Sequence, residues 1–218
     1  EKTKIEAVLR AGARYHLLDI GANIGLMTRQ LMSGNPNIVS ATCFEPDPSN
    51  YEALAFNVAP FPGAKTKNYG LGDAAGDLTF YRDVANSGNY SLNLDAMRGK
   101  SYEETKVQIV EVNDALKQAL TSISPETRII WKSDTQGLDE VIMASLDFEF
   151  WRRVDVCVLE LWRIEKPKMD INKFVKILQL FPNRYMLGNE TVENPDINRI
   201  VKYLEGKDYE HMDLYLWN

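Results

Sequence analysis

Two glycines four positions apart, Gly21 and Gly25, follow the run Leu17-Leu18-Asp19-Ile20, and a second strand-like run, Ser40–Phe44, ends on Glu45, 24 positions beyond Gly21. Glycine tolerates the dihedrals of a tight strand-to-helix turn and lets backbone approach a ligand where a Cβ would collide. A carboxylate ending the next strand is placed to accept hydrogen bonds from both hydroxyls of a ribose. The pairing points to a nucleotide-bearing cofactor across the first two strands of an open α/β sheet. A dinucleotide fingerprint would carry a middle glycine for the pyrophosphate, but Asn23 stands there and Asp19 lies beside the loop. S-adenosylmethionine, which has a ribose, a sulfonium and an amino group but no phosphate, suits Asp19, Asn23 and Glu45 best. A dinucleotide and an empty structural turn are the alternatives. Asn68, near the end of a third strand, is either an adenine contact or a turn former before Gly70. Asp47 and Asp73 are expected to cap a helix or a turn.

Four stretches carry a resemblance: residues 17–25 (LLDIGANIG), 43–54 (CFEPDPSNYEAL), 68–73 (NYGLGD) and 131–142 (WKSDTQGLDEVI). Together they resemble the FkbM family of class I methyltransferases, from about Leu17 to Trp162, most specifically in Phe44-Glu45-Pro46-Asp47-Pro48 and Lys132-x-Asp134-x-x-Gly137. The resemblance implies methyl transfer from adenosylmethionine to a hydroxyl oxygen of a sugar or other small metabolite. Two positions depart from it. Gln136 stands where family members often carry Glu, and Trp162 stands where a His often follows the acid at Glu160.

A hydroxyl attacking a sulfonium methyl must lose its proton, so a base within hydrogen-bond reach of the acceptor is useful. Asp134 is the first candidate; its alternative role is the N-cap of a helix starting near Gln136. Lys132, two residues earlier on the same strand face, would keep Asp134 ionised and make it an orienting acceptor. Glu160 is the second candidate. Asp134 and Glu160 could also bind Mg²⁺ through oxygen, but no metal site is assigned. His16 and His211 have no partner at a recognisable spacing, so no His-based metal motif is expected.

These residues need a scaffold, and the hydrophobic pattern supplies one. Strands are expected at Tyr15–Ile20, Val39–Phe44, Lys65–Tyr69, Ile129–Ser133, Val156–Leu161, Tyr185–Leu187 and Asp213–Trp217. Apolar residues at helical spacing follow several of them: Ile24, Met27 and Leu31; Tyr51, Leu54, Ala55 and Val58; Leu138, Val141 and Ile142; Ile171, Phe174, Val175 and Leu178. A further helix is expected at Pro195–Leu204. The alternation predicts a doubly wound, mostly parallel Rossmann-like sheet of seven strands, with ligands at the carboxyl ends. By resemblance the last strand inserts antiparallel. Two extra strands, Leu78–Arg82 and Val107–Val112, bound an insertion at about 77–112. Its polar stretch is expected to form a lid whose Asn86, Asn89, Tyr90 and Ser91 face a hydroxylated acceptor, or else a mobile loop.

Composition narrows the partners. The 218 residues, 44% of them hydrophobic, suit one domain, and a net charge of −6 without a long Lys/Arg run counts against nucleic acid. A small-molecule acceptor is favoured. Cys43 and Cys157 sit in apolar runs and read as free thiols of a reducing compartment. No run approaches the roughly 20 apolar residues of a membrane span, and a cytoplasmic location is expected. Because the first residue is Glu1 rather than Met, there is room for an upstream segment. Three function classes follow: a methyltransferase, a catalytically silent adenosylmethionine-binding module, and a nicotinamide-dependent oxidoreductase, the last disfavoured by Asn23.

Overall fold

The computed structural model describes residues 2–166 and 168–218. In chain order the elements are α1 (Lys2–Val8), β1 (Tyr15–Ile20), α2 (Leu26–Gly34), β2 (Ile38–Phe44), α3 (Pro48–Val58), β3 (Ala64–Lys67), β4 (Gly70–Gly72), β5 (Gly76–Asp83), β6 (Tyr102–Glu111), α4 (Val112–Leu120), β7 (Arg128–Ser133), α5 (Asp139–Ser145), β8 (Val154–Trp162), α6 (Ile171–Leu178), β9 (Asn183–Leu187), β10 (Thr191–Glu193), α7 (Ile197–Leu204) and β11 (His211–Trp217). The main sheet runs β10-β9-β11-β8-β7-β1-β2-β3. Strands β3, β2, β1, β7 and β8 are mutually parallel, and β11 inserts antiparallel between β8 and β9.

Strand alternation divides the core between two faces. Leu17, Ile130, Val156 and Val158 pack with Ile5, Leu31, Leu54 and Val58 from α1, α2 and α3. Leu18, Trp131, Cys157 and Leu159 pack with residues of α4, α5, α6 and α7 on the other side. Because both faces are covered, the strands are apolar throughout rather than alternating. A polar residue inside such a strand, such as Asp19 or Lys132, therefore stands out. Both cysteines are buried free thiols, and burial pushes that of Cys43 up to about 12.

The structure corrects the expected elements in several places. The main sheet has eight strands, because Thr191–Glu193 turns back on Leu187–Tyr185 and extends the edge. The insertion is a three-stranded sheet rather than a hairpin: β5 pairs antiparallel with β6 from Gly76↔Ile109 to Asp83↔Tyr102, and β4 runs parallel along the other side of β6. Val112 does not continue the strand. Glu111 accepts a hydrogen bond from the Asp114 amide at 3.0 Å and caps α4, which buries Val112, Ala115, Leu116 and Ala119 at helical spacing. The third strand stops at Lys67, leaving Asn68 and Tyr69 beyond it. The helix expected near Gln136 begins at Asp139, because Gln136 (φ 55°) and Gly137 (φ 106°) make a left-handed turn first. Asp134 is therefore not its N-cap. Among the described residues no helix is long and apolar enough to cross a membrane.

Candidate functional site

The loops leaving β1, β2 and β7 meet at the carboxyl edge of the sheet around a cavity of about 60 Å³, walled by Gly21, Asn23, Glu45, Asn50, Ser87, Tyr90, Asp134 and Gln136 among others. The two glycines have positive φ, 71° at Gly21 and 78° at Gly25. Their neighbours explain the need for glycine differently from ligand approach. A Cβ on Gly21 would stand 2.0 Å from the Asp134 carbonyl oxygen, and one on Gly25 would stand 2.6 Å from Leu54 Cδ1 on α3. Gly21 thus locks the β1 loop against the β7 loop, and Gly25 lets α2 pack on α3.

Glu45 is buried at the end of β2. Its Oε2 accepts from the Asn23 amide at 2.8 Å and its Oε1 from the Asp47 amide at 2.9 Å. Burial raises its carboxyl to about 7, against the pull of those two N–H donors. Each oxygen keeps a lone pair for a second donor. Asp47 caps α3 by accepting from the Ser49 and Asn50 amides, and it pairs with Arg82 of the inserted sheet. Arg82 had no signal in the sequence beyond its charge.

Asp19 does not reach the cavity. It is fully buried, accepting from Thr28 Oγ1 at 2.6 Å and pairing with Lys132 Nζ at 3.2 Å. The Lys132 ammonium also donates to the Gly21 carbonyl at 3.3 Å and lies 3.8 Å from Asp134 Oδ2. Lys132 therefore ties the glycine loop, the buried acid and the surface acid together, on the strand face that it shares with Asp134. Asn68 donates to the Glu45 and Pro46 carbonyls at 3.0 and 3.3 Å, holding the β2 loop from outside the cavity wall.

Gln136 is the residue that sequence reasoning passed over. Its Nε2 donates to Asp134 Oδ1 at 2.8 Å and to Glu160 Oε2 at 2.7 Å, so one amide occupies the space between the two carboxylates. Glu160 also accepts from Trp162 Nε1 at 2.7 Å, and its Oε1 lies 3.7 Å from Nδ1 of His211. Burial and the neighbouring charge of Asp134 push the Glu160 carboxyl well above the usual range. Asp134 is the more exposed of the two acids and lines the cavity, whereas Glu160 does not. Among the described residues no group of three or more His, Cys, Asp or Glu is arranged to hold a metal ion. His16 lies at the opposite end of the strand, with its ring nitrogens on Ser40 and Thr42 hydroxyls and its pKa pushed down to about 4 by burial.

The lid residues divide. Tyr90 lines the cavity, packed edge-on against Phe80. Asn86 caps the turn Ser87–Asn89, and Asn89 donates to Asp83 at 2.9 Å. Ser91 is fully buried, donating to the Gln136 carbonyl at 2.8 Å and accepting from the Asn93 amide at 2.9 Å. The Ser87 carbonyl accepts from Asn23 Nδ2 at 2.9 Å and from Asn50 Nδ2 at 3.4 Å, fastening the insertion across the glycine loop.

The order β3-β2-β1-β7-β8-β11-β9 with β11 reversed, together with the acid after β2, defines a class I methyltransferase fold. Among solved structures the chain is similar to methyltransferase FkbM from Methylobacillus flagellatus KT, with a TM-score of 0.53 and 14% identity, covering 97% of this chain and 45% of that one. It is also 26% identical over 174 residues to methyltransferase sdnD of Sordaria araneosa, across 67% of this chain and 66% of the relative. The chain thus spans just under two thirds of that curated relative and less than half of the FkbM structure. Likeness to precorrin-6y C5,15-methyltransferase from Geobacter metallireducens GS-15 is slighter, with a TM-score of 0.44 and 12% identity over all of this chain and 87% of that one. No family model matches the chain. These findings support the class I methyltransferase fold, and the FkbM resemblance of the sequence coincides with the structural neighbour.

Proposed function

We propose that this chain transfers a methyl group from S-adenosylmethionine to a hydroxyl oxygen of a small-molecule acceptor. The observation that carries the reading is the meeting of Glu45, Asn23 and Asp134 around one cavity at the carboxyl edge of this sheet. Glu45 would accept from the ribose hydroxyls with the lone pairs that its two backbone bonds leave over. The cofactor supplies an electrophilic methyl carbon on sulfur. Asp134 would accept a hydrogen bond from the acceptor hydroxyl and take its proton as the oxygen is methylated. Lys132 and Gln136 hold Asp134 from two sides, which fixes its carboxylate to orient an acceptor hydroxyl. Glu160 accepts from the same Gln136 amide and so fixes the bridge from its far side.

The test is Asp134→Asn, assayed by adenosylhomocysteine formation over a panel of hydroxylated acceptors, with calorimetry of cofactor binding alongside. The rate should fall by about 10²–10⁴ while cofactor affinity stays near that of the parent. A folded, cofactor-binding Asn variant with full activity would remove Asp134 from the reaction.

A further inference from the structure

Beside the cavity, and sharing Leu92 and Leu138 with it, runs a groove of about 440 Å³. One side is the start of α5, with Val141 and Ile142, and the other is the insertion, with Leu78 and Leu94. The groove falls within the range of about 300–1,000 Å³ typical of small-molecule sites. Leu78 and Leu94 are 46% and 48% exposed, so apolar surface lies open to solvent along it. Asp73, Tyr81 and Glu165 stand at its rim, and of the other polar side chains beside them Asn93 and Lys166 are already engaged. Asn93 donates to the Glu165 carbonyl at 2.7 Å and accepts from the Asp95 amide at 3.0 Å, and Lys166 pairs with Glu140. A sugar laid against Leu78, Leu94, Val141 and Ile142 would leave the hydroxyls on that face without partners, at a cost of about 1–3 kcal/mol each. The shared Leu138 lies four residues after Asp134, so the groove adjoins the cavity that Asp134 lines.

We propose that the groove holds the body of the methyl acceptor and that this acceptor is an alcohol or phenol carried on an apolar ring system or chain. The inference rests on the methyl-transfer reading and narrows its acceptor. Continuity with the reaction cavity selects this occupant over a second copy of the chain.

The test is calorimetric titration of 2-naphthol, with methyl glucoside as the polar comparator, into protein saturated with adenosylhomocysteine. Naphthol should bind and methyl glucoside should not. Leu94→Asp should weaken naphthol by about tenfold or more and Leu94→Ala by less, with adenosylhomocysteine affinity unchanged in both. Equal naphthol binding in folded Leu94→Asp, or binding of methyl glucoside alone, would overturn the proposal. If Leu94→Asp instead turns a dimer into a monomer by light scattering without touching naphthol affinity, the groove is an interface and the proposal falls. Naphthol binding with the expected losses, but no methyl transfer to any apolar alcohol, would support the groove and overturn the reaction.

Discussion

Gly21→Ala tests the contact that joins the cofactor loop to the catalytic candidate. An added Cβ would lie 2.0 Å from the Asp134 carbonyl oxygen and 2.9 Å from its carbon, below the 3.0 Å that real Cβ contacts respect. Both partners are backbone at the ends of adjacent hydrogen-bonded strands, so no rotamer change relieves the overlap. The loops must part by about 1 Å, and the Lys132 bond to the Gly21 carbonyl parts with them. Two other glycines calibrate the effect, because all three have φ between 71° and 78°. Gly12 has nothing within 4 Å, so Ala there should cost only the left-handed backbone, about 1–2 kcal/mol. Gly25 meets Leu54 Cδ1, the end of a side chain that can turn, and should cost somewhat more. Overpacking adds about 1–3 kcal/mol, which places Gly21→Ala about 2–5 kcal/mol below the parent. Urea denaturation of the three variants measures the series, and adenosylhomocysteine titration of each should show the largest loss at Gly21. If Gly21→Ala is no less stable than Gly12→Ala and binds the cofactor as well, the loop contact constrains nothing and the argument is wrong.

Two further outcomes depend on proton occupancy. Since burial raises Glu45 to about 7, lowering the pH from 8 to 6 should remove a ribose acceptor and weaken adenosylhomocysteine binding, and Glu45→Gln should bind more weakly but flatten that dependence; a parent profile without slope would sink the assignment. Glu160 and Asp139 are also raised by burial, Asp139 to about 6, so their protonated forms contribute stability that is complete below about pH 4 and lost as pH climbs through the raised values. The thermal midpoint should therefore drop between pH 5 and pH 9, and Glu160→Gln, whose amide still accepts from Gln136 and Trp162, should shrink the drop; a larger drop in the variant would contradict the burial argument.

The parts of the fold legible in the sequence are those governed by burial. Continuous apolar runs located the central strands, because strands covered on both faces leave no polar alternation to confuse them. The interruption of such a run by Asp19 marked the cofactor end of β1, and Glu45 marked that of β2. What the sequence hid were elements fixed by few or distant contacts. The strand Thr191–Glu193 is too short and polar to show a period, and Val112 reads as strand until the Glu111 cap is seen. The roles of Asp19, Asn68 and Ser91 depended on which carbonyl or hydroxyl the fold would bring to them from far along the chain. Gln136 was noted only as a departure from a family pattern. Its bridge spans residues 24 apart in sequence, Gln136 and Glu160, and no local spacing announces that.

The fastening of the insertion by Asn23 and Asn50 has a consequence for affinity. The Ser87 carbonyl joins the insertion to both the glycine loop and α3, so parting the insertion from them breaks both bonds. Two neutral hydrogen bonds at about 0.5–1.5 kcal/mol each make that opening cost about 1–3 kcal/mol. A ligand whose entry required that parting would bind about 5- to 150-fold more weakly than one that entered without it. Through Asn23 the strength of that fastening is tied to the glycine loop itself, so Asn23→Ala should loosen the insertion and the loop together.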